Sequence, residues 1–267
     1  MRRLPLTRPN SLVHVVAERL RMAIVNAELG LGEALSEEAL ASAFGVSRTP
    51  VREALNLLQL QGLIEIAPQR GSFVFRPSTE DIERLCEFRI VLEVSAAPFT
   101  AAREHASALA ALEQQLVLLE LAFDDNDGLG YVRSDNGLHQ VFFDYCGSKY
   151  FQNAYALISS KIAAIRTNLS SGEHADQELS LGEHRQIVAY FRKNDMVPLA
   201  ALLRVHIGRT QRNFLDALAR GLGAPYSGSQ EAYAFAPSTT DRAGASESVR
   251  KAEVVGTVSG KDRRRNR

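Results

Sequence analysis

The stretch Gly45-Val46-Ser47-Arg48-Thr49-Pro50-Val51-Arg52-Glu53-Ala54-Leu55 decides the fold of the first quarter of the chain. Gly45 ends one helical run, Ser47 stands where it can cap the next, and Pro50 falls in that helix's first turn, where a missing amide hydrogen costs nothing. Val51, Leu55 and Leu58 recur at helical spacing and predict a buried face until Gly62 closes the run. Arg48, Thr49 and Arg52 are then left on the opposite, early-turn surface. A short helix that starts sharply and shows donors from its first turns is what reading a DNA major groove requires. Arginine there can offer paired donors to guanine O6 and N7, and Thr49 suits a phosphate or a thymine methyl. A surface helix with solvated arginines has the same periodicity, so the flanking sequence has to decide.

Upstream, Ser36 can cap a helix running to Phe44, with Glu37 and Glu38 in the first turn where the helix dipole favours negative charge. Before that, Leu12, Val15, Val16, Leu20 and Ile24 give a helix within Ser11 to Leu29, broken by Gly30 and Gly32. Downstream, Leu63-Ile64-Glu65-Ile66 and Ser72-Phe73-Val74-Phe75 have strand character, separated by a loop with Pro68, Arg70 and Gly71. Three helices followed by a β-hairpin make a winged helix-turn-helix, expected over residues 11–76 behind an N-terminal arm, residues 1–10.

Pro77 and Ser78 mark a boundary, with Ser78 or Thr79 capping a helix that opens on Glu80 and Asp81. Helices are expected near 79–104, 107–123, 129–146, 148–170, 178–193 and 195–219, forming an all-α antiparallel bundle over residues 79–222. Pro98 should kink or split the first of them. The fold class is thus mainly α. From residue 223 to 267 the chain loses apolar periodicity and ends in Arg263-Arg264-Arg265, and it reads as a disordered tail.

Within the bundle, Asp135 and His139 lie one turn apart on one face. His184 shares a stripe with Ile187, Val188 and Phe191, and His206 shares one with Leu202, Leu203 and Ile207. All three histidines are expected to face inward. Each alone is commonly a hydrogen-bonded core residue, but together with Asp135 they form a nitrogen and oxygen ligand set suited to a divalent transition metal: Zn, Ni, Mn or Fe. Arg89 falls on the inward stripe of Ile82, Leu85, Leu92 and Ala96, and a buried guanidinium demands an anion. That anion is either Glu93, one turn on, or the carboxylate of a small organic acid effector. Arg166, beside Ile158, Ile162, Ile165 and Leu169, is a second candidate clamp. Cys146 reads as a small core residue. The zinc-hydrolase string His-Glu-x-x-His is absent, and Glu183 is expected to point away from the cluster, leaving no general base beside it. A regulator is therefore favoured over an enzyme. A metal-independent acid- or acyl-responsive regulator and a metal-dependent hydrolase remain the alternatives.

The 267 residues are 45% hydrophobic and 23% charged, enough for two modest soluble domains. Net charge is zero, yet residues 1–77 hold nine Lys/Arg against seven Asp/Glu, while residues 78–222 hold fourteen against nineteen. A basic head on an acidic body places any anionic polymer on the head. Met1-Arg2-Arg3 starts like a secretory signal, but Pro5, Thr7, Arg8 and Asn10 interrupt an apolar run. Cys86 and Cys146 are too few for a disulfide framework. A cytoplasmic protein without membrane contact is expected.

The segments Leu35 to Ala41, Gly45 to Leu55, Gly62-Leu63-Ile64 and Gln69-Arg70-Gly71-Ser72-Phe73-Val74 closely resemble the winged-helix domain of the GntR superfamily of regulators. That resemblance implies that Arg48 and Arg52 approach bases, that Ser47 and Thr49 approach phosphates, and that Arg70 with Gly71 sets the wing at the minor groove. Glu38 departs from the pattern: many members have arginine there, and a carboxylate cannot pair with a phosphate. Residues 79–219 resemble the FCD effector domain of the FadR subfamily, whose members often hold a metal on one aspartate and three histidines; Asp135, His139, His184 and His206 occupy those places. Asn136-Gly137 stands where a bulkier apolar pair is usual. The expected partners are a double-stranded DNA operator with an inverted repeat, a second copy of the chain in a homodimer, and an organic acid that relieves repression.

Overall fold

A computed structural model describes residues 12–169 and 174–222, apart from the side chains of 174 and 175. The expected arm at 1–10 and tail at 223–267 lie outside the described residues. The elements run α1 (Leu12–Val25), β1 (Ala34–Leu35), α2 (Glu37–Phe44), α3 (Arg48–Leu60), β2 (Ile64–Ala67), β3 (Gly71–Val74), α4 (Thr79–Asp124), α5 (Gly128–Asp144), α6 (Lys149–Leu169), α7 (His174–Arg192) and α8 (Met196–Ala219).

The caps set the winged portion. Ser36 accepts a hydrogen bond from the Ala39 amide at 3.2 Å and starts α2, and Gly45 ends it in the left-handed region at φ 64°. α3 buries Val51, Ala54, Leu55 and Leu58, the face its spacing predicts. β2 and β3 pair antiparallel, with Ile64 opposite Val74 and Ala67 opposite Gly71. β1, absent from the sequence reading, adds to the far side of β3 through Ala34 opposite Phe73. Two residues carry no period, so this strand left no signal.

In the helical portion, Ser78 and Asp81 form a capping box: Ser78 accepts from the Asp81 amide at 3.1 Å and Asp81 from the Ser78 amide at 2.8 Å. α4 then runs helically through Pro98 and departs only at Glu104 (φ −140°, ψ 41°). The kink expected at the proline is therefore not made, and the departure falls where the helices expected at 79–104 and 107–123 were to meet. Pro98 is exposed, where water can satisfy the carbonyl it leaves without a donor. Among the described residues α4 is the one helix long and apolar enough by composition to cross a membrane, and it is the spine of the bundle. It packs against α5, α7 and α8 around Leu92, Leu112, Leu138, Phe142, Phe191 and Leu203. α6 also meets the winged portion, where the Lys161 ammonium sits 5.9 Å from the Phe75 ring centroid.

A Cβ on Gly45 would touch nothing within 4 Å, so the cost of Gly45→Ala is the left-handed backbone alone. Urea unfolding of this variant should show a loss of about 1–2 kcal/mol; an unchanged midpoint would mean that α2 does not end as described.

Candidate functional site

The early turns of α3 present the residues expected to meet DNA. Ser47, Arg48, Thr49 and Arg52 are all exposed. Ser47 stands at the N-cap position, but its hydroxyl makes no cap hydrogen bond, contrary to the sequence expectation, and so is not committed to the helix. Arg52 is held by Glu37: Nε lies 3.2 and 3.1 Å from the two carboxylate oxygens and Nη2 lies 2.8 Å from one. Hydrogen bonding to Glu37 raises the pKa of Arg52 further. Arg48 Nη2 meets Glu38 at 2.7 Å. Arg70 and Gly71 are exposed at the turn between β2 and β3, where Gln69 (φ 61°) and Gly71 (φ 109°) take left-handed backbone. The structure thus separates two groups, one on α3 and one at the tip of the wing.

Inside the bundle, α5, α7 and α8 bring His139, His184 and His206 together, each fully buried. His139 Nε2 lies 3.2 Å from His206 Nε2 and 3.4 Å from His184 Nε2. Asp135 completes the group, with Oδ1 3.6 Å from His139 Nε2 and Oδ2 3.7 Å from His184 Nε2. The far nitrogens are committed: His139 Nδ1 to Glu93 at 2.6 Å and His206 Nδ1 to Glu183 at 2.6 Å. A carboxylate only accepts, so both Nδ1 atoms donate, and the Nε2 atom of a neutral His139 carries a lone pair that faces His206 Nε2. A proton or a metal cation between the rings satisfies that lone pair. Burial opposes a proton in that role, because it pushes His139 well below the ordinary imidazole pKa and His184 down to about 3. A metal ion meets the requirement: metal–nitrogen bonds of about 2.0–2.1 Å in a tetrahedron place neighbouring nitrogens about 3.3 Å apart. The donor set and its spacing therefore fit a divalent ion. His184 Nδ1 has no well-aligned hydrogen bond, although the Ser180 backbone one turn earlier favours its charged form.

Two guanidinium groups border this cluster. Arg89 is buried, and its Nε donates to Glu93 at 2.6 Å, as the internal alternative foresaw. Burial disfavours its charge, but Glu93 reverses that and raises its pKa. Glu93 occupies one edge only, and Nη1 and Nη2 are buried without partners. Arg166 turns to the Asp135 and histidine cluster: its Nη1 is 2.7 Å from Asp135 Oδ1, an ion pair without hydrogen-bond alignment, and donates to Asn136. Burial would raise the Asp135 pKa, yet Arg166, ahead of the histidines, holds this carboxyl well below the ordinary range. Arg166 Nη2 is buried and unpartnered. Cys146 lies in the hydrophobic core.

Glu183 was expected to point away; instead it grips His206 and takes the Arg209 guanidinium at 2.7 Å. The expectation considered only its neighbour His184, whereas the carboxylate reaches across to α8. Burial opposes its ionisation, but bonds from His206 and Arg209 pull its pKa to about 2, which unfits it as a general base near neutrality. Asn136 has a local reason, since it accepts from Arg166, and beside Gly137 the carboxamide of Gln115 occupies the space a Cβ would take and would have to shift to admit one.

Residues 12–74 match the bacterial regulatory proteins of the gntR family, and residues 84–209 match the FCD domain. A transcriptional regulator of the helix-turn-helix type from Streptomyces ambofaciens is 30% identical over 71% of this chain and 79% of its own length. The transcriptional repressor NanR of Salmonella schwarzengrund is 29% identical over 78% of this chain and 85% of its own. Among solved structures, a GntR regulator from Rhodococcus sp. RHA1 has a TM-score of 0.70 at 23% identity, covering 78% of this chain and 99% of its own. E. coli McbR/YncC has a TM-score of 0.71 at 18% identity, covering 79% and 100%. The chain belongs to the GntR family and is a transcriptional regulator with an FCD domain, not an enzyme.

The buried imidazoles set an acid dependence. An unfolded histidine titrates near about pH 6.5. Below that, the unfolded chain binds protons that folded His139 and His184 refuse, so metal-free protein should lose stability as pH falls from about 6.5 toward 3. Urea midpoints at pH 7 and pH 5.5, above most carboxylate titration, should drop for the wild type and drop less for His184→Asn. Equal midpoints at both pH values in the wild type would refute neutral burial.

Proposed function

We propose that this regulator is a repressor that binds an inverted-repeat operator as a homodimer and leaves it when a small carboxylate binds beside a divalent transition metal (Zn, Ni, Mn or Fe) in the helical domain. The single observation that carries the metal is the meeting of imidazole Nε2 atoms whose other nitrogens are tied to carboxylates. His139, His184, His206 and Asp135 would hold the ion, which supplies a positive centre for an anionic oxygen. Glu93 and Glu183 fix the ring tautomers, as outer carboxylates do around metal-bound histidines.

Arg89 supports the effector half of the reading. Two buried, unpartnered donors on one planar group suit a carboxylate, and Arg166 offers one further N–H. Ser47, Arg48, Thr49 and Arg52 would enter the major groove from residues 11–76, with Arg70 and Gly71 at the minor groove. The exposed Phe88, Val91, Leu118 and Leu121 on α4 give a second copy an apolar surface within residues 79–222. Repression rather than activation follows the sign of the NanR relatives. A cytoplasmic setting accords with such regulators.

Elemental analysis of gently purified protein should find about one metal ion per chain, and His184→Ala should abolish it. With metal bound, a thermal-shift screen of di- and tricarboxylates should raise Tm by about 5–10 °C at hundredfold excess over Kd. Arg89→Met should keep the metal and lose that shift. Acid binding without any metal would leave the metal-independent regulator standing in its place. Arg52→Ala should cut operator preference over random competitor about tenfold, and an unchanged footprint would remove this register of α3.

A further inference from the structure

Resting on the DNA-reading role of α3, we infer that Glu38 is a specificity-determining residue that selects a cytosine next to the guanine read by Arg48. The two arginines of α3 are held by consecutive glutamates of α2 in different ways. Glu37, 30% exposed, grips Arg52 along its Nε and Nη2 edge with three contacts, so it is an orienting group. Glu38, 76% exposed, makes a single 2.7 Å contact with Nη2 of an Arg48 that is itself 57% exposed. An ion pair this open is weak and exchanges readily with other partners. Because α2 fixes where Glu38 stands, its carboxylate lies within one hydrogen bond of the place from which Arg48 would enter the groove.

The chemistry available to that carboxylate is narrow. It only accepts hydrogen bonds, and phosphates, guanine O6 and N7, and thymine O4 offer it no donor. The amino groups of cytosine and adenine do, and a carboxylate characteristically takes cytosine N4. Arg48 and Glu38 thus form a mixed pair, one donor and one acceptor, that reads a guanine and an adjacent cytosine together. Because Glu38 is so exposed and its ion pair is with the likewise exposed Arg48, replacing it changes the reading surface without disturbing the core.

The test is selection of bound duplexes from a randomised inverted-repeat library by full-length wild type, Glu38→Ala and Glu38→Gln at one moderate salt concentration, with urea midpoints as a fold control. The wild type should select cytosine at one position per half-site by a factor between about five and a hundred. Glu38→Ala should flatten that position alone. Glu38→Gln should move its preference to adenine, since a carboxamide pairs with adenine N6 and N7. Motifs identical to the wild type in both variants overturn the inference, even if overall affinity rises, because Glu38 would then only restrain Arg48. A Glu38-dependent preference for another base overturns the cytosine assignment. A wild type that selects no motif overturns the DNA reading itself, and this inference with it.

Discussion

Three buried imidazoles turn ring nitrogens toward one another, and the helical domain depends on how that crowding is resolved. His139 and His206 set their Nε2 atoms 3.2 Å apart. The surrounding residues commit the chain to this arrangement: Glu93 and Glu183 take the Nδ1 side of two of the rings, and Asp135 adds a negative charge that Arg166 meets at 2.7 Å. Breaking a buried pair of this kind by removing one partner strands the other in a medium that solvates charge poorly. Glu93 is the hinge of the network, since one carboxylate oxygen takes His139 and the other takes Arg89. Whatever alters the charge felt by that carboxylate is felt by both the imidazole and the guanidinium.

The surface of α3 proposed to read DNA uses the same device at the opposite extreme of exposure. Glu37 orients Arg52 as Glu93 orients Arg89, each through Nε. In the bundle the pair is buried, so it defines geometry strongly and tolerates little change. On α3 it is open to water, so it contributes little to stability and much to the direction in which a flexible side chain points. Orientation lowers the entropy lost when arginine meets a base, and it leaves the rest of the guanidinium to do the reading.

The sequence made most of this architecture legible because its signals are local and redundant. Ser36, Gly45, Ser78 and the apolar spacing of Val51, Leu55 and Leu58 each specify a boundary or a face by themselves. The four residues of the candidate metal group could be picked out because histidine on an apolar stripe is costly without a reason. What escaped were features that exist only across elements. β1 is two residues long and is defined by its partner β3. Glu183 looked irrelevant beside His184, because its target stands on α8. Gly137 looked like a weakness in a helix until Gln115 of α4 filled the space above it. Pro98, expected to kink its helix, left the backbone helical, whereas the departure at Glu104 falls at the boundary expected between 79–104 and 107–123.

A signal from the pocket has a short physical route to the winged portion. α6 carries Arg166, which touches Asp135 and Asn136, and five residues earlier Lys161, which lies over the Phe75 ring and against Gly62. Five residues of helix span about 7.5 Å, too short a rod to absorb a displacement by bending. An acid drawn to the unpartnered Arg166 Nη2 would compete with Asp135 for the same guanidinium and bias the position of α6. At the other end the contact is made by the Lys161 ammonium, which lies over Phe75 and beside Gly62 just ahead of the hairpin. The shift available is bounded by the difference in effector affinity between the two positions of α6, and a ligand that binds both equally would move neither. With an acid bound as proposed, α6 would convert its recognition into a change at the wing, and the stiffness of the five-residue link would set how much of the binding difference reached DNA.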